Sequence, residues 1–136
     1  MSKSIAGNCL CGKVKFQVFE PFLQFYFCHC DRCKKSSGSA HAANIFVGTN
    51  SIKWISGKKL IKDFVLSNDS SFNKSFCLEC GSPTPVKAKS GEFIIVPVGS
   101  LNETPMIQVQ RNIFWKDRAV WLEEGYNAIK YDGYPP

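Results

Sequence analysis

The sequence lacks any long hydrophobic run. Its longest purely apolar stretches are a handful of residues, far short of the roughly 20 that a membrane-spanning helix needs. The beginning of the chain, Met1-Ser2-Lys3-Ser4, leads into mixed sequence without the apolar core of a signal peptide. We therefore expect a cytoplasmic protein in a reducing compartment, with no membrane partner.

Internal repeats, low-complexity tracts, linkers and long basic blocks are also absent. The 136 residues, of which 44% are hydrophobic and 13% aromatic, predict one folded domain, with its core over about residues 5–122. The formal charge of +6 comes from lysines scattered along the chain, and the sequence contains no recognisable nucleic-acid-binding motif. This distribution favours a solvated basic surface over a nucleic-acid interface.

The cysteines are the most informative residues. There are seven, so disulfide bonds could not pair them all. They fall in three short stretches: Cys9-Leu10-Cys11, Cys28-His29-Cys30-Asp31-Arg32-Cys33 and Cys77-Leu78-Glu79-Cys80. In a reducing compartment such short spacings indicate metal binding or redox chemistry.

The preferred interpretation is two unequal zinc sites. Four thiolates form a closed structural site that staples distant parts of the chain and contributes to folding: Cys9, Cys11, Cys77 and Cys80. Three thiolates leave one tetrahedral position open, as in a catalytic site: Cys28, Cys30 and Cys33. A zinc ion held by three thiolates suits a soft fourth ligand such as a substrate thiolate, which favours sulfur chemistry over hydrolysis.

Two other interpretations of the cysteines stay open at this point. Cys30 and Cys33 could join Cys77 and Cys80 in one zinc ribbon, although the gap between these pairs exceeds the roughly 15–20 residues of that pattern. Either CxxC pair could serve redox chemistry, although neither lies in a visible βαβ context.

The polar residues near Cys28, Cys30 and Cys33 are not interpreted as metal ligands. The His29 side chain is expected to point away from those of Cys28 and Cys30 and to support the site from outside the ligand set, or simply to pack. His41 is interpreted as a surface or packed histidine. Three cations lie near these cysteines in the sequence: Arg32, Lys34 and Lys35. They could hold anionic charge, or they could simply be solvated.

Short alternating segments separated by turn residues predict a mainly β, sandwich-like domain with little helix. Asp31 is expected to cap a short helical turn, Gly12 to allow a tight turn, and Pro97 to mark an edge strand or a bulge. A polar loop is predicted at Ser67–Ser71. The predicted strand segments are Lys13–Val18, Phe22–Phe27, Ala42–Val47, Ile52–Ile55, Leu60–Leu66, Phe72–Cys77, Phe93–Val98, Ile107–Trp115 and Ala119–Leu122.

Several motifs together resemble a known family. They are Cys9-x-Cys11-Gly12-x-Val14-x-Phe16, Cys28-His29-Cys30-x-x-Cys33-Lys34-Lys35, Phe76-Cys77-x-x-Cys80-Gly81-Ser82 and Gly99-Ser100-Leu101. In this order they resemble the glutathione-dependent formaldehyde-activating enzyme family, whose CENP-V/GFA domain is shared with the centromere protein V group. The resemblance runs from about Cys9 to Trp121. Two positions depart from the usual family residues: Asn112 stands where histidine is frequent, and Asn102 where aspartate is frequent.

The resemblance implies a β-tent fold around zinc and the same partition of the cysteines into a structural four and a catalytic three. It also implies a carbon–sulfur lyase that joins the thiol of glutathione, or a similar small thiol, to formaldehyde. The rival function is a non-catalytic zinc-stabilised binding module of the centromere protein V type. Methionine-sulfoxide reduction, which similar zinc-bearing β folds perform, would need a free nucleophilic cysteine, and every cysteine here is assigned to metal.

Overall fold

The described residues form three β-sheets and two short α-helices, and the mainly β prediction is confirmed. The computed structural model describes residues 3–67 and 71–136. The strands are β1 (Ser4–Asn8), β2 (Lys15–Phe19), β3 (Phe22–Cys28), β4 (Ala42–Gly48), β5 (Ile52–Ser56), β6 (Ile61–Val65), β7 (Asn73–Cys77), β8 (Pro83–Thr84), β9 (Val86–Lys87), β10 (Phe93–Pro97) and β11 (Arg111–Ile113). The helices are α1 (Asp31–Ser37) and α2 (Leu122–Asn127).

The largest sheet has five strands in the order β11-β3-β4-β10-β9. All its pairs are antiparallel except β11 with β3, which run parallel and place Asn112 opposite Phe27 and Ile113 opposite Cys28. Strand β3 ends at Cys28, and α1 begins three residues later. The cysteines of the second stretch, Cys28, Cys30 and Cys33, therefore lie at one end of this sheet.

The two smaller sheets each have three strands, in the orders β1-β2-β5 and β6-β7-β8. Strand β7 ends at Cys77, so the sheet β6-β7-β8 positions the start of the third cysteine stretch. The strands β6 and β7 pair antiparallel from Ile61 opposite Cys77 to Val65 opposite Asn73. The polar loop predicted at Ser67–Ser71 connects them, and its residues 68–70 lie outside the described part of the chain.

The core lies where inward-facing residues of the five-stranded sheet meet those of the sheet β1-β2-β5. In β2 the burial alternates, with Phe16 and Val18 inside and their neighbours outside, as expected for a half-buried strand. They pack with Ile45, Val47 and Val96 of the five-stranded sheet. Each such side chain contributes about 1.5–3 kcal/mol when fully buried. This core fixes both sheets and therefore the strand ends that carry the cysteines.

Helix α1 corrects one local prediction. The N-cap is Cys30 rather than Asp31, since the Cys30 sulfur accepts a hydrogen bond from the Cys33 backbone N–H, and Asp31 is the first helical residue. The helix continues to Ser37, and Gly38 follows it in the left-handed region. A cysteine sulfur thus takes the capping role that an aspartate usually plays.

The late part of the chain differs most from the expectation. Of the predicted strand Ile107–Trp115 only β11 forms, and Ala119–Leu122 is a turn into α2 instead of a strand. Strand β10 is not at a sheet edge, because it pairs with β4 and β9. Its Pro97 is the last residue and lies beyond the part paired to β9.

No helix within the described residues is long and apolar enough to cross a membrane.

Candidate metal centres

The first cysteine cluster joins two tight turns that are far apart in sequence. The sulfurs of Cys9, Cys11, Cys77 and Cys80 all lie within 4.8 Å of one another. The Cys9 and Cys11 sulfurs are 3.5 Å apart, and those of Cys11 and Cys77 are 3.9 Å apart. A tetrahedral zinc ion with Zn–S bonds of about 2.3 Å requires sulfur–sulfur distances of about 3.8 Å. The donor set therefore fits a four-coordinate zinc ion.

Both turns have the same local design. Gly12 and Gly81 adopt φ of +79° and +75°, and their N–H groups donate to the carbonyls of Cys9 and Cys77. A glycine at each turn lets the backbone fold back without a Cβ penalty, as the sequence predicted for Gly12. The two turns are also tied to each other, because the Leu10 backbone N–H donates to the Ser82 hydroxyl at 3.1 Å.

The surroundings of this cluster are packed. Cys9 and Cys77 are buried, and they form a small apolar group with Val14, while Trp54, Leu60 and Ile61 pack around them. The Val14 backbone N–H donates to the Cys9 sulfur at 3.3 Å. The hydrogen bond of Ser82 lowers the pKa of Cys80 to about 5, so this thiol ionises readily. The fourth residue, Cys11, is exposed. Four thiols at these distances, two of them in buried residues, match the donor set of a structural zinc site.

The second cluster is built by one strand end and one helix start. Cys28 is the last residue of β3, Cys30 caps α1, and Cys33 lies in its first turn. The three sulfurs lie within 4.8 Å of one another, with 3.6 Å between those of Cys28 and Cys30. All three residues are buried. The spacing again fits a zinc ion, now with three protein ligands and one position left for another donor.

The Cys28 and Cys33 thiols of the second cluster differ in pKa. The hydrogen bond from Cys33, with a smaller contribution from the positive charge of Arg32, lowers the pKa of Cys28 to about 5. The same hydrogen bond and burial raise the pKa of Cys33. Of these two thiols Cys28 is therefore the one that ionises first, while Cys33 keeps its proton until a metal displaces it.

His29 supports the second cluster from outside the ligand set. Its side chain is fully buried, and its Nε2 lies 2.9 Å from the Oδ1 of Asn112 on β11. Trp115 presents its ring at 4.9 Å in an edge-to-face arrangement. This placement matches the expectation that His29 points away from the cysteine side chains beside it.

His41 is the functional candidate that the sequence interpretation set aside. Its ring stacks on Phe27 with centroids 4.1 Å apart and lies 5.0 Å from the ring of His29. It also lines the cavity beside the second cluster. Nothing in its sequence neighbourhood signals this position, because Phe27 and His41 meet only when β3 and β4 pair.

A cavity of about 400 Å³ opens beside the second cluster. Cys28, Cys30 and Cys33 form part of its wall. The four cysteines of the first cluster are not among its described lining residues. A volume of this size is within the range of small-molecule sites. The two clusters thus differ in setting: the first does not line this cavity, and the second faces a space that can receive a ligand.

Comparisons with known proteins agree with this architecture. A crystal structure of a Rhodobacter sphaeroides protein superposes with a TM-score of 0.61 at 22% sequence identity, over 79% of this chain and 99% of that chain. At this identity the likeness concerns the fold alone. The comparison with curated proteins gives no match. The family model described as glutathione-dependent formaldehyde-activating enzyme matches residues 4–117, which include both clusters. Because the match covers most of the sequence, the chain belongs to the glutathione-dependent formaldehyde-activating enzyme family.

Proposed function

We propose that this protein is a zinc-dependent carbon–sulfur lyase that adds a small thiol, such as glutathione, to a small aldehyde such as formaldehyde, or removes it. The observation that carries the proposal is the difference between the two clusters. Only the cluster of Cys28, Cys30 and Cys33 has three sulfurs and faces a cavity. The proposal assigns two zinc ions to the chain, with the structural one held by Cys9, Cys11, Cys77 and Cys80.

The reaction needs a thiolate next to an aldehyde. A zinc ion held by Cys28, Cys30 and Cys33 would accept a soft sulfur donor as its fourth ligand and so lower the pKa of a substrate thiol. The new sulfur–carbon bond forms as the carbonyl π bond opens, and the proton of the thiol ends on the former carbonyl oxygen. The reverse direction breaks the same bond and returns the proton to sulfur.

The chain's own residues contribute ligands, charge balance and positioning. Three thiolates and a dication sum to a charge of about −1, and the nearby guanidinium of Arg32 offsets it. The cavity holds thiol and aldehyde together, which converts an encounter in solution into a step within one complex. His41 is part of the cavity wall, and its ring is held in place by stacking on Phe27.

The test is metal content and thiol–aldehyde chemistry in wild type and in Cys28→Ser. The proposal expects two zinc ions per chain in wild type and one in the variant, with an unchanged circular dichroism spectrum. Formation of the thiol–formaldehyde adduct, followed by NMR, should lose its enzyme-dependent part. Adduct formation at the wild-type rate in Cys28→Ser, or a single zinc ion that survives the substitution, would overturn the proposal. The free thiols that these sites require suit a reducing cytoplasm.

A further inference from the structure

The cavity beside the second cluster is electrostatically one-sided. Among its described lining residues the charged side chains are two cations, Arg32 and Lys74, and there is no carboxylate. Much of the remaining wall is apolar, including Tyr26, Phe46 and Ile95. Tyr26 and Phe46 contact each other as a tilted pair with ring centroids 5.9 Å apart. The cavity therefore offers an apolar surface together with positive charge.

Arg32 has no carboxylate partner in the described part of the chain. It is half-buried on α1, and its guanidinium carbon lies 5.6 Å from the centre of the Phe114 ring. The neighbouring cation Lys34 differs, because its Nζ lies 2.9 Å from an Asp31 carboxylate oxygen and donates to the Asp117 carbonyl. The forked donors of Arg32 are thus available to a ligand, whereas those of Lys34 are occupied.

Lys74 approaches the cavity from a different element. It lies on β7, and its Nζ donates to the Ser36 backbone carbonyl on α1 at 2.8 Å. Ser36 itself is part of the cavity wall. An ammonium group has three donors, so this contact fixes the position of Nζ and leaves two donors for an anion.

We propose that the cavity selects thiols that carry both an apolar body and a carboxylate. The inference rests on the proposed function, since it takes the sulfur end to the Cys28, Cys30 and Cys33 cluster. The apolar body then lies against Tyr26, Phe46 and Ile95, and the carboxylate pairs with Arg32 and Lys74. The substrate class is an aryl- or alkyl-substituted mercaptocarboxylate, as the free thiol or as its aldehyde adduct.

A competing explanation gives the cations a different purpose. They could simply neutralise the negative charge of a metal-loaded three-thiolate cluster, in which case they would favour every thiol equally. The two explanations separate when an acid is compared with its uncharged amide, because only the carboxylate would lose a partner when Arg32 is removed.

The experiment uses the full chain with Co²⁺ in the second cluster and follows the absorption change when a thiol binds the metal. The probes are 2-mercapto-3-phenylpropanoate, its primary amide, 2-mercaptopropanoate and glutathione. We expect the phenyl acid to bind at least about tenfold more tightly than each of the other three, about 1.4 kcal/mol. Arg32→Gln should weaken the acid about tenfold more than it weakens the amide, and Lys74→Gln should act in the same direction.

Lys35→Gln is the matched control, because Lys35 is an exposed cation on the same helix that does not line the cavity. It should leave both affinities unchanged. Equal binding of acid and amide, or equal weakening of both by Arg32→Gln, would overturn the inference while leaving the proposed function standing. A cobalt spectrum that no thiol changes would overturn the proposed function and this inference with it.

Discussion

The imidazole of His29 and the amide of Asn112 are joined by a 2.9 Å hydrogen bond across 83 residues of sequence. The carbonyl oxygen of the amide accepts, so Nε2 of His29 carries the proton. The bond connects the residue between Cys28 and Cys30 to β11, the strand that pairs parallel to β3. It orients a buried residue next to the cluster and holds β11 against the site.

Removal of this bond should cost stability and metal affinity together. Asn112→Ala leaves Nε2 of the fully buried His29 without its acceptor, which costs about 1–3 kcal/mol. Loss of a group that supports metal ligands typically lowers metal affinity about 10–100-fold. Urea denaturation and competition with a chelator would measure the two effects.

Asn102→Ala is the control for that variant. Its amide donates to the Asn8 side chain at 2.9 Å, but this bond is exposed to solvent. Substitution there should change stability by less than about 0.5 kcal/mol and should leave metal affinity unchanged. Equal effects at Asn112 and Asn102 would show that the His29 contact has no special role.

The two clusters should respond differently to loss of a sulfur. Cys77→Ser removes a buried ligand from the four-cysteine cluster, where the apparent free energy of structural zinc binding, about 10–16 kcal/mol, equals or exceeds the stability of a typical domain. We expect this variant to lose its folded circular dichroism spectrum.

Cys30→Ser should remain folded. Serine is a favoured N-cap residue, so the bond from the Cys33 N–H that begins α1 is kept when the sulfur is lost. The variant should bind one zinc ion per chain and melt within a few degrees of wild type. Unfolding of Cys30→Ser would mean that the second cluster is also a structural requirement.

Much of the site could be predicted from the sequence because its signals are local. Cysteine spacing, the glycine after Cys11 and strand alternation depend on neighbouring residues, and the structure brings the cysteines together in the expected groups of four and three. The contributions of Asn112 and His41 could not be predicted this way. They depend on the pairing of β11 and β4 with β3, which local periodicity does not specify.

The misplaced late strands have a similar cause. The segment Ile107–Trp115 has enough apolar residues for a long strand, but only Arg111–Ile113 finds a partner edge. Phe114 then enters the left-handed region with φ of +54°, which ends the strand. A strand requires a partner as well as a pattern, and the availability of the β3 edge is a tertiary property.

Gly57 should tolerate substitution least among the glycines with positive φ. A Cβ at this position would overlap the Lys13 carbonyl oxygen and lie 2.8 Å from the Val14 Cα, at the crossing between β5 and the first cysteine turn. Gly38 has φ of +63° but open space around it. Gly38→Ala should therefore cost only the conformational penalty of about 1–2 kcal/mol.

Gly57→Ala should cost clearly more than Gly38→Ala, since backbone has to move in addition to the conformational penalty; overpacking typically adds about 1–3 kcal/mol. Urea denaturation of both variants with zinc at saturation would give the difference. Equal losses would show that the Lys13 and Val14 backbone yields freely at this crossing.

Metal uptake by the second cluster should release a number of protons that changes near pH 5. The hydrogen bond from Cys33, assisted by Arg32, lowers the pKa of Cys28 to about 5. Below that pH the thiol is protonated and the metal must displace its proton; above it, Cys28 is already a thiolate and has none to release. Total proton release should thus fall by about one as the pH rises from 4 to 6.

Calorimetric titration with Cd²⁺, a soft ion that favours thiolates, in buffers of different ionisation enthalpy would count these protons. The difference between wild type and Cys28→Ser isolates the step, because the first cluster contributes equally to both. Arg32→Gln removes one of the influences that lower the pKa of Cys28, so it should move the step to higher pH. If the difference between wild type and Cys28→Ser shows no step near pH 5, the unequal sharing of protons between Cys28 and Cys33 is contradicted.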